Sequence, residues 1–351
     1  MALLIDNDVV DRVLDMPDAL GAIESGLEQL ARGDAVIHPR TGMWSPTAAD
    51  GDFYLWSCQL GMLRSPPRLA IRFKSEVLTW TERDGGVIQE KHNVEPGTYM
   101  GVVQLFDTST GALIGFIHDG LIQHVRTGAL AGIACKYLAR EDAHTVGLLG
   151  SGGMAESYLR AFSLVRDVTE ARVFSPTAAH REGFAESMAA ELGIEVVPVE
   201  SAEAAMTGVD IAATCTSSLT PVYDPDWTEP GQFITNVTPV ETPDEVLEAA
   251  DRTYVSKADP GFDYIIGDEA DRARVKGFYP TPRSDLATPI VDVVGGDDPG
   301  RTDDDETIFY SNISLGGIQF VTIGNLVYER AVENGYGTVV PLAWFQQSVK
   351  S

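Results

Sequence analysis

The 351-residue sequence predicts an α/β protein in which an α+β region with a mostly antiparallel sheet precedes a doubly wound parallel sheet. Alternating apolar and polar residues fill much of residues 52–118, a pattern typical of half-buried strands joined by hairpins. From residue 144 onward, short apolar strands alternate with helical segments, as in a parallel sheet covered by helices. The length suits about two domains of roughly 150 residues each.

The charge of the chain limits the partners that it can bind. The 25 Lys and Arg residues stand against 52 Asp and Glu residues, which gives a net charge of −27. A surface of this sign repels nucleic acid and anionic membranes, so neither is predicted as a partner. The few basic residues are informative, because a site for an anionic ligand would have to concentrate them.

The start of the chain and its cysteines predict a cytoplasmic protein. The chain begins Met-Ala-Leu-Leu-Ile-Asp without a basic region, and no apolar run reaches the ~18 residues that span a bilayer. Cys58, Cys135 and Cys215 are far apart, which favours reduced thiols over a disulfide framework. The six histidines form no close ligand pair, so no metal site is predicted.

The first region begins with a predicted amphipathic helix over residues 15–33, where four Leu or Ile residues follow helical spacing and Gly33 suits the C-terminal cap. A second helical pattern runs from Ile122 to Leu138. Alternating segments bounded by turn residues predict the strands between them, which are Asp52–Cys58, Arg68–Val77, Thr98–Phe106 and Ala112–His118.

The second region alternates strands with helices. The apolar strand Thr145–Gly150 is followed by a helix over Glu156–Val165, and Gly193 ends a further helix over Ala179–Leu192. The other predicted strands are Ala171–Ser175, Ile194–Val199, Asp210–Thr216, Phe233–Val237, Arg252–Ser256 and Thr307–Ile313. This alternation predicts a parallel sheet.

The C-terminal part of that region carries weaker signals. A helix is predicted to begin with a capping box at Thr242–Glu245, with Pro at the first helical position. Residues 258–305 are rich in Gly, Pro and Asp and are predicted to be irregular. A long apolar helix is predicted over Gly317–Glu333.

A glycine-rich turn after the first strand of the second region is the strongest local motif. Gly150 permits a tight turn, Gly152 lets backbone N–H groups approach a pyrophosphate, and Ala155 allows close packing of helix on strand. A second strand ends at Ser175, where the ribose-reading residue of a dinucleotide site belongs. The pattern therefore predicts a Rossmann domain, although glycines can also mark a purely structural turn. The motif consists of Gly150, Ser151, Gly152, Gly153, Met154 and Ala155.

The end of that second strand favours NADP(H) over NAD(H), which stays possible. An NAD-selective site would usually place a carboxylate near Ser175 to accept hydrogen bonds from the ribose 2′-hydroxyl. Ser175 and Thr177 offer hydroxyls there instead, and Arg181 could hold a 2′-phosphate. The alternative is that Arg181 is a solvated helix residue. Further candidate cofactor-binding residues are Thr127, Thr216, Ser217, Asn236 and Val237.

Several motifs in the middle of the chain resemble those of the ornithine cyclodeaminase/mu-crystallin family. In order they are Leu-Phe-Asp-Thr-Ser-Thr-Gly from Leu105, His-Asp-Gly from His118, Val-Arg-Thr-Gly-Ala-Leu-Ala-Gly from Val125, Leu-Ala-Arg from Leu138, and Gly-Ser-Gly from Gly150. The resemblance implies a substrate-binding and dimerisation domain (1–130 with 315–351), a Rossmann domain (131–314) and a homodimer.

The resemblance also implies three basic substrate-binding residues. Arg40 and Arg126 match the arginines that hold a substrate carboxylate, which they can do through paired charge-assisted hydrogen bonds. Lys74 matches the lysine near the reacting carbon and is predicted to be catalytic, because an ammonium can protonate an adjacent C=N group. The alternatives are ordinary ion pairs for the two arginines and a solvated strand position for Lys74.

Departures from the family pattern narrow the predicted function. Val240 stands where ornithine cyclodeaminases carry an aspartate thought to act as a base, and Glu241 is its neighbour. No acidic residue for a distal amine is evident near Gly61. The sequence therefore predicts an NAD(P)H-dependent reductase of an imino acid, or the reverse amino-acid dehydrogenase. The alternatives are an ammonia lyase that uses bound NAD and a non-catalytic binder. The pocket walls are predicted to come from loops around residues 42–65, 80–98 and 258–300.

Overall fold

The computed structural model of the chain describes residues 1–83, 86–256, 261–278, 287–313 and 315–349. Its helices are α1 (Asn7–Val13), α2 (Met16–Ala31), α3 (Gly120–Leu138), α4 (Gly153–Val165), α5 (Ala178–Leu192), α6 (Ala202–Met206), α7 (Asp244–Ala249), α8 (Glu269–Phe278), α9 (Ile290–Gly295) and α10 (Gly316–Asn334). Short 3-10 turns lie at Pro225–Trp227, Pro239–Glu241 and Leu342–Trp344.

The strands form two separate sheets. In chain order they are β1 (Ala2–Ile5), β2 (Ala35–Pro46), β3 (Phe53–Leu63), β4 (Arg68–Arg83), β5 (Gly86–His92), β6 (Met100–Asp107), β7 (Ala112–His118), β8 (Thr145–Leu149), β9 (Glu170–Phe174), β10 (Glu195–Pro198), β11 (Ile211–Thr214), β12 (Phe233–Asn236), β13 (Arg252–Val255), β14 (Phe262–Ile265), β15 (Thr288–Pro289), β16 (Ile308–Ser311) and β17 (Thr338–Val340).

The first sheet is mostly antiparallel, as the sequence predicted. Its order is β14-β2-β3-β4-β6-β7-β1-β17, and β5 pairs with the far end of β4. Only the pairs β14–β2 and β1–β7 are parallel among the described strands. The odd-numbered residues of β3 are mostly buried and the even-numbered ones mostly exposed or half-buried, so one face of the sheet is covered and the other is not.

The second sheet is parallel throughout its described strands, in the order β10-β9-β8-β11-β12-β16-β13-β15. The chain first builds outward from β8 to β10 and then crosses to β11 on the other side of β8. In an open α/β sheet, ligands bind at the carboxyl ends of the strands where the order reverses. That point lies between β8 and β11, so the fold places a crevice beside the glycine-rich turn. The α/β architecture is confirmed.

Helices α2, α3 and α10 join the two sheets into one hydrophobic core. The largest core cluster runs from Val103 and Leu105 of the first sheet through Leu130 of α3 to Val146 of the second sheet. Helix α10 lies on the covered face of the first sheet and packs so tightly that a side chain at Gly61 of β3 would overlap the carbonyl oxygen of Gly317. The last predicted helix therefore returns to the first sheet.

Helix boundaries follow the predicted signals in most places. Asp15 accepts a hydrogen bond from the backbone N–H of Asp18 at 3.0 Å and caps α2, and Gly193 ends α5 with a φ of +70°. The predicted capping box at Thr242–Glu245 is wrong. Helix α7 starts after Pro243 without a side-chain cap, and the capping box lies four residues earlier, on the turn Pro239–Glu241. Residues 238–241 repeat the Thr-Pro-x-Glu pattern directly before the predicted box, and there the buried Glu241 completes it.

The segments predicted as loops are largely regular. Strands β2 and β3 fill most of residues 42–65, and β5 lies within 80–98. Strand β2 pairs with β3, and β3 and β5 pair with β4, so hydrogen bonds to neighbouring strands make these segments part of the sheet. The stretch predicted to be irregular, 258–305, contains β14, α8, β15 and α9 within its described part.

Strand β14 also bears on the predicted division into domains. It lies within the segment 131–314, yet it pairs with β2 at the edge of the first sheet. The division into 1–130 with 315–351 and 131–314 stays a prediction, with β14 as the strand that crosses between them. No described helix is both long and apolar enough to cross a bilayer.

Candidate active site

The glycine-rich turn lies at the carboxyl end of β8, facing the crevice between β8 and β11. Gly150 has a φ of +103°, and a side chain there would overlap the carbonyl oxygen of Cys215, so only glycine fits. Gly152 is the N-cap of α4, and a Cβ atom built on it would meet nothing within 4 Å. The turn thus presents backbone and the N-terminus of α4 to open space, which suits a pyrophosphate.

The neighbouring strand end carries the predicted ribose-reading residues. The hydroxyl of Ser151 donates a 2.9 Å hydrogen bond to the hydroxyl of Ser175, which joins the turn to the end of β9. The Arg181 guanidinium donates to the Ser175 carbonyl oxygen at 3.2 Å and to Glu200 at 2.6 Å. Arg181 is buried, so it is not a solvated helix residue. Thr177 precedes α5 as its N-cap and makes no side-chain cap.

A buried carboxylate braces the ends of β11 and β12. One oxygen of Glu241 accepts hydrogen bonds from the backbone N–H and the hydroxyl of Thr216, at 2.5 and 2.7 Å. Its other oxygen accepts from the backbone N–H groups of Val237 and Thr238, at 3.2 and 2.8 Å. Burial raises the pKa of Glu241. Both oxygens are engaged in holding the strand ends, so Glu241 does not stand in for the aspartate that Val240 replaces.

Of the remaining predicted cofactor-binding residues at this edge, one is exposed and another holds two strands together. Ser217 is exposed and follows the braced Thr216. Asn236 is buried, and its side-chain amide donates to the Thr242 hydroxyl at 3.4 Å and accepts from Ser311 at 3.1 Å. Asn236 therefore holds β12 to β16 with its side chain.

A row of charged side chains lies on the covered face of the first sheet. Across the sheet, Ser57 is opposite Lys74, and Lys74 is opposite Gly101. Lys74 contacts Glu76, two residues further along β4 on the same face. Burial lowers the pKa of Lys74 to about 7, the nearby Lys91 ammonium adds to this, and Glu76 partly opposes it. Lys74 is therefore a strand residue that can exchange a proton near neutrality, and not a solvated one.

A second ion pair, on the same covered face of the first sheet, was not predicted from the sequence. The Arg72 guanidinium grips one oxygen of Asp119 through Nε at 2.7 Å and Nη2 at 2.5 Å, and both side chains are buried. Asp119 occupies the room left by Gly101, where a side chain would overlap the carboxylate. The His-Asp-Gly motif at 118–120 and the lone Gly101 were the available signals, but nothing in the sequence connected them to Arg72.

Arg126 lies beside this pair on α3. Its Nη1 donates to the Gln319 side chain at 2.9 Å, and the Gln319 amide donates to the Arg126 carbonyl oxygen at 2.9 Å. The ring of Phe320 lies 5.0 Å from the Arg72 guanidinium and 5.2 Å from that of Arg126. Burial, with a smaller effect of Arg72, lowers the pKa of Arg126 to about 10. The Nε atom of Arg126 is buried and has no hydrogen-bond partner among the described residues. A buried donor of this kind is suited to an anionic ligand.

Arg40 stands apart from that cluster in its contacts. Its Nη1 lies 3.3 Å from Asp263 on β14, and the same carboxylate oxygen accepts a 2.8 Å hydrogen bond from the Trp44 indole. Arg72 is an electrostatic neighbour of both Lys74 and Arg126, whereas Arg40 is not among the charges that most shift the pKa of either. The structure thus brings Lys74 and Arg126 together around Arg72 and leaves Arg40 in the ion pair considered as its alternative.

Helix α3 connects the basic cluster to the glycine-rich turn. His124 lies against the turn, since a Cβ atom at Gly153 would come within 2.9 Å of its ring. Burial lowers the pKa of His124, so its ring is neutral near pH 7. The Thr127 hydroxyl bonds within the helix at 2.7 Å, and the Thr127 carbonyl accepts a 3.0 Å bond from Asn312. One helix therefore fixes Arg126 relative to the turn.

A cavity of about 440 Å³ lies outside this arrangement. It borders Val240, Thr242 and Tyr254, beyond the carboxyl ends of β12 and β13, and its lining includes neither Lys74 nor the glycine-rich turn. We place the candidate site at the basic cluster, where the charged groups converge. In the described part of the chain, no group of three or more His, Cys, Asp or Glu residues could hold a metal ion.

A family model matches almost the whole chain. It is that of the ornithine cyclodeaminase/mu-crystallin family, and the match covers residues 3–335. The chain belongs to the ornithine cyclodeaminase/mu-crystallin family. The resemblance seen in the motifs is thereby confirmed.

Members of the family with known names extend the comparison. A Δ1-pyrroline-2-carboxylate reductase from Bacillus cereus is 26% identical over 257 residues, which cover 72% of this chain and 77% of that protein. The alanine dehydrogenase of Archaeoglobus fulgidus is 26% identical over 347 residues, 96% of this chain and 98% of that protein. The structure of Thermococcus litoralis Δ1-pyrroline-2-carboxylate reductase with NADH and L-proline has a TM-score of 0.77 and 25% identity, covering 96% of this chain and all of that one.

Proposed function

We propose that the protein is a nicotinamide-dinucleotide-dependent oxidoreductase that reduces an imino acid to an amino acid, or catalyses the reverse reaction. The related pyrroline-2-carboxylate reductases and alanine dehydrogenase act on substrates of this class. The observation that carries the proposal is the placement of two half-buried cations around Arg72: Lys74 on the covered sheet face and Arg126 on α3, the helix that also contacts the glycine-rich turn.

Each basic residue has a distinct role in this proposal. Arg126 binds the substrate carboxylate with its unpartnered Nε, and Arg72, whose guanidinium contacts the same Phe320 ring, adds positive charge. Lys74 donates a proton to the substrate nitrogen as the C=N bond is reduced. When bound, the nicotinamide supplies the hydride for the trigonal carbon. Arg40 as a carboxylate ligand stays a prediction, because it would first have to leave Asp263.

The crevice at the carboxyl edge of the second sheet fits a dinucleotide. The open space over Gly152 and the N-terminus of α4 would receive the pyrophosphate. The preference for NADP(H) stays a prediction. No carboxylate follows β9 at Ser175, which supports it, whereas the pairing of Arg181 with Glu200 supports NAD(H). The structure of the T. litoralis relative is a complex with NADH.

Two further properties are part of the proposal. We expect a homodimer formed through the uncovered face of the first sheet, because several apolar side chains there, on β2, β3 and β6, are 38–53% exposed. These are Val36, Met43, Tyr54, Met62 and Met100. A solved structure of an archaeal alanine dehydrogenase, 22% identical to this chain, contains a dimer. A cytoplasmic location stays a prediction.

A cyclodeaminase-like lyase is the less favoured alternative. Such an enzyme would need a carboxylate base near the end of β12, and there Val240 is apolar while Glu241 is fully engaged. Ammonia release without a net absorbance change at 340 nm would identify a lyase. Binding of imino and keto acids without any turnover would identify a non-catalytic binder.

The decisive experiment is Lys74→Met, assayed by NAD(P)H oxidation over cyclic imino acids and over 2-oxo acids with ammonia. Loss of the proton donor should lower kcat by about 10²- to 10⁴-fold. Dinucleotide affinity measured by calorimetry should stay near that of the wild type. Lys136→Met is the matched control, because Lys136 pairs with Glu24 on the surface, away from the site. Undiminished turnover by Lys74→Met would rule out the proposed role.

A further inference from the structure

Lys74 and Glu76 form an ion pair on β4 in which the lysine is half-buried and the glutamate is buried. The Lys74 ammonium contacts one oxygen of Glu76, and the Glu76 side chain is 1% exposed. The other oxygen of Glu76 is buried and has no hydrogen-bond partner among the described residues. A buried carboxylate with one unused oxygen is costly unless a cation compensates its charge. Glu76 therefore depends on Lys74 for its compensation.

The charges around Lys74 come from several elements. Arg72 and Glu76 lie on its own strand, and Lys91 lies on β5, opposite Leu78 on the same face. The directly paired positions on β3 and β6 are Ser57 and Gly101, which carry no charge. Further ionisable groups stand beyond Arg72, namely Tyr99, Asp119 and Arg126.

Of the site's cations, the lysine is the group that can titrate. A guanidinium keeps its proton at all ordinary pH values, whereas a buried ammonium loses its proton readily. Glu76 attracts the proton on Lys74, and Lys91 repels it. The two flanking residues therefore act on Lys74 with opposite signs.

We propose that Glu76 is a positioning residue that keeps Lys74 protonated against the effect of Lys91, and so sets the pH range in which the substrate nitrogen receives its proton. The proposal rests on the imine-reducing function. In the reductive direction, the C=N carbon accepts hydride, the C=N electron pair moves to nitrogen, and the N–H bond of Lys74 breaks as nitrogen takes that proton. The neutral lysine then recovers a proton from water, and the cofactor is left oxidised.

The electrostatics of both groups agree with this assignment. Burial lowers the pKa of Lys74 to about 7, Lys91 lowers it further, and Glu76 raises it. Although burial alone would raise the pKa of Glu76, the Lys74 and Lys91 cations hold it below its usual value. Glu76 is therefore held ionised by the charges of Lys74 and Lys91. Reduction should decline as pH rises through the pKa of Lys74, because the proton donor is lost.

The test measures the protonation of Lys74 directly and through catalysis in Glu76→Gln, Glu76→Asp and Lys91→Gln. Competitive acetylation by acetic anhydride, read by mass spectrometry on the peptide containing Lys74, reports the fraction of neutral amine at each pH. The pH profile of kcat/KM for imine reduction gives the second readout. The acetylation readout needs no substrate, so it decides the inference even if the wild type reduces no imine, a result that would end the proposed function alone.

Glu76→Gln should move both midpoints down by about one pH unit or more, since an opposite charge at this range shifts a pKa by about 1–3 units. Lys91→Gln should move both midpoints up, and Glu76→Asp should keep them nearer to the wild type than Glu76→Gln. Unmoved midpoints, or shifts of the same sign in Glu76→Gln and Lys91→Gln, would overturn the inference. If Glu76→Gln does not fold, Glu76→Asp takes its place: its displaced carboxylate should lower both midpoints by a smaller amount, and unmoved midpoints in this variant would overturn the inference.

Discussion

The buried pair of Arg72 and Asp119 should be a major source of stability in the first sheet, and Asp119→Asn tests this. The Asp119 side chain is fully buried, and that of Arg72 is 6% exposed. Two hydrogen bonds from the guanidinium to one carboxylate oxygen join them, and Gln123 offers only a longer contact of 3.4 Å. Removing the negative charge leaves Arg72 buried without a counter-ion.

Two effects of the substitution set the size of the loss. Breaking a buried ion pair by removing one partner costs about 3–5 kcal/mol. The guanidiniums of Arg72 and Arg126 flank the same Phe320 ring, so they lie within roughly 10 Å of each other and repel by at least about 1.7 kcal/mol at an effective dielectric constant of about 20. In the wild type, Asp119 offsets that repulsion. The broken ion pair costs more than the uncovered repulsion, and we expect Asp119→Asn to lose about 3–5 kcal/mol of unfolding free energy.

Urea unfolding followed by tryptophan fluorescence measures this loss, because Trp44, Trp56 and Trp80 all lie on the first sheet. The midpoint should fall by about 1 M or more at unchanged slope. Asp34→Asn is the matched control. Asp34 accepts a 2.8 Å hydrogen bond from Arg64, whose side chain is 80% exposed, and such a surface pair is worth about 0–1 kcal/mol.

A double variant separates the effect of the lost charge from the effect of altered side-chain packing. Arg72→Met with Asp119→Leu removes both charges together and should recover most of the stability lost in Asp119→Asn, because apolar replacement of a whole buried pair is often neutral. Equal midpoints for Asp119→Asn and Asp34→Asn would refute the reasoning from burial. A double variant no more stable than Asp119→Asn would show that the loss comes from altered packing.

Three other predictions concern the cofactor and the assembly. Gly152→Val fills the open space at the start of α4, where the φ of −101° is allowed for valine. It should weaken NADH binding by about 100-fold in calorimetry without changing the melting temperature, and an unchanged affinity would place the pyrophosphate elsewhere. Glu200→Gln frees Arg181 and should raise the ratio of kcat/KM for NADPH over NADH by about tenfold, whereas Glu191→Gln should not. Met43→Glu should halve the mass measured by light scattering; a retained dimer would exclude the uncovered sheet face as the interface.

The features that the sequence predicted well are those encoded by neighbouring residues. The turn at Gly150, the helix stop at Gly193 and the alternation of strands and helices all depend on contacts within a few positions. Backbone geometry at such places restricts the choice of residue so strongly that the residue type reveals the geometry. The parallel sheet and its binding edge followed directly from these local signals.

The charge pairing inside the site could not be predicted, because it depends on strand register. Lys74 was identified by its resemblance to a family position, but its partner Glu76 is an ordinary strand residue in the sequence. Asp119 and Arg72 are 47 positions apart in the sequence. That Gly101 leaves room for the Asp119 carboxylate becomes visible only once the strand register places Gly101 opposite Lys74. A one-residue change of register would turn these side chains to the other face of the sheet.

Helix α3 explains how residues from two separate sheets can be held in a geometry precise enough for catalysis. Its first turn begins at Asp119, which holds Arg72; its second turn carries His124 against the glycine-rich turn and Arg126 against Phe320. The rest of the helix is mostly buried up to Cys135 and packs along α4, which starts at that same turn. Since a packed helix is stiff, a shift of the dinucleotide turn must carry Arg126 with it. Helix α3 therefore sets the distance between Arg126, which would bind the substrate carboxylate, and the turn that would bind the cofactor. Lys74 reaches the site from the first sheet and is the group whose charge can change during the reaction.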